Sequence, residues 1–390
     1  MRNTSVKLAL CLAASLSLIS VPAISQPSLS IDVQGPSAFP FGALDPGGVL
    51  LATPAGCPTP APGTLCNSAR LGLVPGNWEA AELDALSYGR DLLKLDNAWR
   101  WATRYCFAFS VDEWAIGDPA APAPPNVATE GAFGNLEASA DVQLTCVGPN
   151  SPVAPLPPAV VLGNRSWLDG NGCFPFGGAG LGLVEPNPPF PGIPDKGDNL
   201  DAVDFRRPSS LNVAVYFSLD AKFVDPLEGP PINTGTAPAN GVFPGDVLIS
   251  RCTGSFGVYA RFWQLGLGER DDLDALILWD NGDNAYVPSK EPFDWLFGDT
   301  DQLIFSVRRG SPILGTPDSI FGIPIQEGDL LVPPLGGVGA PGIFLSAETL
   351  GLATVRSGTA EKFSDDLDAA SAQERNQIAP QPTDDTTAFP

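Results

Sequence analysis

Histidine is absent from all 390 residues and methionine occurs once. Without an imidazole there is no Ser-His-Asp or Cys-His relay, and the usual zinc sites lose their commonest ligand. Basic residues are scarce too: 21 Lys and Arg stand against 44 Asp and Glu, a formal net charge of −23. They form no run, which excludes a general nucleic-acid binder, because phosphate neutralisation needs clustered cations. There is no CxxC spacing and no GxxxxGK[ST] loop, and Gly177-Gly178-Ala179-Gly180 lacks a following helix signal. Apolar runs of membrane-spanning length are missing as well. The longest candidate, Leu8 to Ile19, falls short of the roughly 20 residues a bilayer requires.

That short run reads instead as the core of a signal peptide, residues 1–25. Arg2 and Lys7 precede it, and small residues follow it, with cleavage expected after Ala23 or after Ser25. The expected location is secreted or periplasmic, with no membrane span in the mature chain. Cys11 has only three apolar residues before it, a poor lipidation context. Six further cysteines, Cys57, Cys66, Cys106, Cys146, Cys173 and Cys252, are an even number in an exported chain and read as disulfides. Hydrophobic residues make up 44% of the chain, enough for a packed core despite the charge.

Four stretches pair a Leu-Gly-Leu with a later acidic Leu-Asp-Ala. The first triplets are Leu71-Gly72-Leu73, Leu181-Gly182-Leu183, Leu265-Gly266-Leu267 and Leu350-Gly351-Leu352. The second are Leu83-Asp84-Ala85, Leu200-Asp201-Ala202, Leu273-Asp274-Ala275 and Leu367-Asp368-Ala369. Between them recur an apolar-Ser-apolar-acid step, ending at Asp32, Asp112, Asp220 and, with the acid broken, Arg308, and a Gly- or Asp-led apolar run near Gly48, Asp141, Asp246 and Asp329. Four degenerate units follow, near 27–105, 106–215, 216–303 and 304–370, within a repeat domain of 26–370; the polar tail 371–390 reads as disordered.

Each element is short, rich in Val, Ile, Leu and Phe, and bounded by Gly, Pro, Asp or Asn, which is strand punctuation. The helical alternative is confined to Trp78–Trp101, where the repeat itself places a strand near Leu83. The expected fold is all-β, a repeat architecture of four strand-like elements per unit resembling β-propeller blades; a β-sandwich or tandem β-domains is the second reading. Pro-rich inserts account for units longer than a usual blade. The same repeat places Cys57 and Cys66, and Cys146 and Cys173, in equivalent intervals. It therefore points to Cys57–Cys66, Cys146–Cys173 and, by remainder, Cys106–Cys252.

The phrases Asp271-Asp272-Leu273-Asp274-Ala275-Leu276, Tyr216-Phe217-Ser218-Leu219-Asp220 and Gly245-Asp246-Val247-Leu248 resemble those of exported bacterial repeat proteins of mostly unassigned function. The resemblance implies a propeller-like architecture and an exported location; it implies no reaction.

Carboxylates are the chemistry that remains. Asp272 and Asp274 stand two apart, as alternate strand residues on one face, and the loop Asp280-Asn281-Gly282-Asp283-Asn284 begins like a calcium loop but lacks its closing Glu. Asp272, Asp274, Asp280 and Asp283 are the candidate metal ligands, with calcium as the candidate ion. The competing reading is that the repeated Asp accepts backbone N–H groups and fixes turns. An enzyme reading uses paired carboxylates on a sugar, with Glu291 and Asp294 beside Trp295 as an asymmetric pair. A binding reading uses Trp99, Trp101, Trp114, Trp167, Trp263, Trp279 and Trp295 toward a protein or carbohydrate surface, against their filling of cores. The sequence favours a non-catalytic scaffold or binding surface, with a carbohydrate-active propeller enzyme as the alternative.

Overall fold

The computed structural model describes residues 27–38, 42–52, 61–74, 82–87, 105–112, 115–119, 125–132, 137–147, 163–172, 179–184, 198–205, 214–220 and 236–372. The expected signal peptide, Cys57, Cys173, Trp99, Trp101, Trp114 and the tail beyond 372 lie outside them.

The first blade contains β1 (Ser28–Ser30), β2 (Val49–Leu51) and β3 (Gly63–Cys66); the second contains β4 (Ala85–Ser87), β5 (Tyr105–Ser110), β6 (Val142–Val147) and β7 (Arg165–Leu168). The third contains β8 (Ala202–Phe205), β9 (Val215–Ser218), β10 (Val247–Ser250) and β11 (Phe256–Ala260). The fourth contains β12 (Leu273–Trp279), β13 (Gln302–Val307), β14 (Leu330–Val332) and β15 (Gly342–Leu345). The last strand, β16 (Ala369–Ser371), returns to the first blade and pairs antiparallel with β1, Leu29 opposite Ala370. Four antiparallel four-stranded sheets thus form a four-bladed β-propeller, with β4, β8, β12 and β16 innermost and in contact around the axis.

The sequence unit is out of phase with the blade by one strand. Each acidic Leu-Asp-Ala leads into the inner strand of the following blade, so the last unit must complete the first blade. The Ser-containing step is the second strand. Its serine reaches across the axis-facing seam: Ser110 Oγ donates to Leu200 O, Ser218 Oγ to Leu273 O and Ser306 Oγ to Leu367 O, at 2.8–3.0 Å. Ser30, in the shortest blade, donates to Pro46 O instead.

The Leu-Gly-Leu element, expected as a strand, is a tight turn. Gly72, Gly182, Gly266 and Gly351 all hold φ between 78° and 95°, the left-handed region open to glycine, and both flanking leucines are buried in every copy. Each buried leucine contributes roughly 2 kcal/mol by removal from water. The four apolar cores lie between neighbouring blades. Trp167 and Phe205, with ring centroids 4.7 Å apart, fill the seam of blades two and three. Asn164, which heads a formal glycosylation triplet, is buried between blades. Its Nδ2 donates to Leu71 O and its Oδ1 accepts Val127 N–H, so the folded chain offers no amide there for a glycan.

The register of β5 and β6 sets Cys106 directly opposite Cys146, whereas Cys252 follows β10 in the third blade, where its carbonyl accepts the N–H of Ala179. Cys66 is a buried thiol, pushed up to about 12 first by burial. Directly opposed residues of an antiparallel pair have Cα atoms about 4.5–5.5 Å apart, within disulfide range. A non-reducing peptide map is therefore expected to show Cys106 linked to Cys146. Recovery of Cys146–Cys173 and Cys106–Cys252 would restore the repeat-based pairing.

A Cβ on Gly266 would lie 2.6 Å from Gly339 O in addition to its φ of +82°. Gly266→Ala is expected to cost about 2–4 kcal/mol, read as a lowered denaturation midpoint. Gly257→Ala, with nothing within 4 Å of the new Cβ, should change it by under about 1 kcal/mol.

Candidate metal centre at the propeller axis

The acids of the repeat divide into two populations by what they touch. One closes loops. Asp45, Asp141, Asp246 and Asp329 accept the N–H of Ser68, Gly170, Phe262 and Ala347, pinning the segment that follows each outer strand. Asp198, Asp271 and Asp365 accept the N–H of Val184, Gly268 and Ala353, each the residue just after a Leu-Gly-Leu turn. Their second oxygens take Thr236 N–H, Ile313 N–H and Ser37 N–H. Turn fixing is thus carried by acids adjoining the Leu-Asp-Ala triplet and by those of the third strand.

The second population faces the axis. Asp201, Asp274 and Asp368, from three inner-strand triplets, are each at most 6% exposed, and each has a carboxylate oxygen that accepts no hydrogen bond among the described residues. Asp272 is fully buried, and neither of its oxygens completes a well-formed hydrogen bond, although the Leu273 N–H and the Asp201 carboxyl stand beside it and favour its charged form. Asp201, Asp220 and Asp272 converge, with one oxygen from each inside 4.8 Å of the others. Burial, and then the neighbouring charges of Asp272 and Asp220, drive Asp201 well above the usual carboxylate range, while Arg308 pulls it down. Burial does the same to Asp272, Asp274 and Asp368, and pushes Asp366 up to about 7 against the pull of Arg309. Like charges this close cannot all ionise in a low-dielectric site without a compensating cation or proton.

The pseudo-fourfold ring makes the geometry legible as four equivalent sets. Each takes the inner-strand Asp of one blade, the residue ending its Ser-containing step, and the residue two before the inner-strand Asp of the next blade. Backbone bonds fix the equivalence: Asp220 N–H donates to Asn199 O, Arg308 N–H to Asp272 O and Asp32 N–H to Asp366 O. The set at blades three and four is Asp201, Asp220 and Asp272. The set at blades two and three is Asp84, Asp112 and Asn199; that at four and one is Asp274, Arg308 and Asp366. The last, at one and two, is Asp368, Asp32 and Glu82. There Arg309, 1% exposed, pairs with Asp32 at 2.5 Å, and Glu82 Oε1 accepts Val33 N–H. Arg308 Nη1 lies 3.3 Å from Asp220 Oδ2.

The axial cavity is lined by residues of all four sets, Asp201 and Arg308 among them but not Asp220, Asp272 or Asp366, and has about 10 Å³ of room for the centre of a water-sized sphere. That is about the minimum for one water and far below what a sugar or a drug-sized ligand fills. A cation bonded to oxygens at about 2.3–2.6 Å spans oxygens up to roughly 5 Å apart, which matches the Asp201–Asp220–Asp272 spacing.

Of the four ligands read from the sequence, Asp272 and Asp274 lie at this axis. Asp280 and Asp283 lie past the other end of β12, where Asp280 accepts Tyr216 Oη–H at 2.6 Å and the N–H of Gly282 and Asn284, and Asp283 accepts Ala285 N–H. Hydrogen bonds take both oxygens of Asp280 and one of Asp283. Asp204, at the same end, accepts Ser87 Oγ–H and Leu278 N–H and ties three inner strands together. Asp294 caps its own turn through Lys290 N–H and Thr300 Oγ1–H. Trp167 and Trp295 are buried, whereas Trp263 is 53% exposed. Asp201 and Asp220 escaped sequence reasoning as partners of Asp272, although all three occupy repeat positions. No family model, curated protein or solved structure matches the chain.

The axial acids hold protons in the folded state at pH values where the unfolded chain has released them. The folded state then binds more protons, so stability falls as pH rises from about 4 through the raised values. In EDTA, the melting temperature is expected to be higher near pH 5 than near pH 8, read by differential scanning calorimetry. A melting temperature that drops on acidification through that window would mean that these groups stay ionised in the fold.

Proposed function

We propose that this protein is a secreted or periplasmic, non-catalytic β-propeller scaffold that binds a hard divalent cation, calcium being the candidate, at its axis. The observation that carries the reading is the convergence of Asp201, Asp220 and Asp272, with neither oxygen of the buried Asp272 completing a well-formed hydrogen bond and Arg308 the cation beside Asp220. Oxygen-only ligands suit calcium or magnesium rather than a soft metal. The export signal read from residues 1–25 supports a compartment where calcium is plentiful. The cavity volume speaks against a sugar bound between axial carboxylates, and so against the glycosidase alternative at this place. Bound here, the ion would neutralise a charge cluster that otherwise opposes blade docking. The loops, with exposed Trp263 among them, would form the surface toward a protein or carbohydrate partner.

Thermal unfolding of the oxidised mature chain in EDTA and in millimolar calcium tests the reading. Ligand at 100 times its Kd stabilises a native-only binder by about 2.7 kcal/mol, several degrees for a chain of this size. Asp272→Asn is expected to remove the calcium-dependent shift while leaving a cooperative transition. An unchanged midpoint in wild-type protein at millimolar calcium would sink the cation site.

A further inference from the structure

The Ser-containing step ends in aspartate in three blades, at Asp32, Asp112 and Asp220, and in Arg308 in the fourth. The backbone holds Arg308 where its counterparts hold acids: its N–H donates to Asp272 O, as Asp220 N–H does to Asn199 O and Asp32 N–H to Asp366 O. A carboxylate is thus exchanged for a guanidinium at an otherwise equivalent place. Among the described residues that line the axial cavity, Arg308 is the one cation, against seven carboxylates. Its Nη1 lies 3.3 Å from Asp220 Oδ2, and its charge also acts on Asp201, Asp272 and Asp274, so one side chain serves acids of blades three and four. It does not satisfy the whole lining. Asn199 Oδ1, Asp274 Oδ2 and Asp368 Oδ2 accept no hydrogen bond among the described residues, and each of these residues is at most 6% exposed. Arg309 is placed differently. It is outside the lining, its side chain is 1% exposed against 18% for Arg308, and it pairs with Asp32.

Resting on the cation reading above, we propose that Arg308 is the resident counter-ion of the axis and sets its metal affinity by competing with the divalent cation for the same carboxylates. The guanidinium offsets part of the ring's negative charge. An entering ion draws on the same acids with twice the charge and repels the guanidinium, whose partly exposed side chain has a route toward solvent. Displacing it costs energy, so the affinity is lower than the carboxylates alone would give. Arg308 acts on the ion through Asp220 and its neighbours, which makes it a positioning residue and not a ligand.

Calcium titration of the oxidised mature chain at pH 8, where protons compete least for the acids, reads the Kd by equilibrium dialysis. Arg308→Gln, which removes the charge and keeps most of the length, is expected to tighten binding by at least about tenfold. Arg308→Lys, which restores the charge, is expected to return the affinity toward that of wild type. Equal or weaker binding by a folded Arg308→Gln chain, or equal tightening in Arg308→Lys, would overturn the counter-ion role and leave the cation reading standing. Calcium bound by Arg308→Gln and not by wild type would sustain the counter-ion role and overturn that reading for the native chain. Binding by neither would overturn both. Should Arg308→Gln lose its cooperative melt in EDTA, its melt in millimolar calcium decides. Recovery of a folded chain supports the competition, and a chain unfolded in both would make Arg308 a structural strut and overturn it.

Discussion

Ring closure is the constraint from which the rest of this structure follows. Four short sheets can bury both faces only by packing on each other in a circle, and the circle brings the start of every inner strand to one axis. Whatever residue the repeat carries at that point is multiplied by four and concentrated. Here it carries aspartate. The fold therefore generates a buried anionic focus that no single blade would contain, and the molecule answers it with Arg308, Arg309, Asn199 and raised proton affinity.

Two kinds of glue hold the circle. Apolar seams between blades, built from Leu, Val and Phe of adjacent sheets, supply the bulk of the stabilisation. Polar latches set the register of blade against blade: in three blades the serine of the second strand grips the neighbouring inner strand, and carboxylates clasp the backbone before each Leu-Gly-Leu turn and after three of them. Such buried, satisfied hydrogen bonds add about 1 kcal/mol each, more when the acceptor is charged, and specify one docking geometry.

The propeller was legible in the amino-acid sequence because repetition survives degeneracy: Leu-Asp-Ala recurs at equal rank in every unit, each copy following a Leu-Gly-Leu. Leu-Gly-Leu was read as a strand because apolar residues flank it. Its left-handed glycine, which local composition does not disclose, makes it a turn. The axial site was half legible. Asp272 and Asp274 stood out by spacing along one strand, yet the partners of Asp272 come from 52 and 71 residues earlier, at Asp220 and Asp201, across a seam that exists only once blades dock. The loop at Asp280 looked like a ligand set because alternating Asx residues serve equally to cap a turn, and here they bond their own backbone.

The pairing of β1 with β16 also has a temporal side. Until β16 is in place, the first blade presents β1 as a bare inner edge, a template for any other extended chain. The circle is therefore closed only by a segment more than 300 residues downstream of β1. Closure has to wait for β16, so a chaperone that shields that edge, or a fast collapse of blades two to four, would decide between native closure and aggregation.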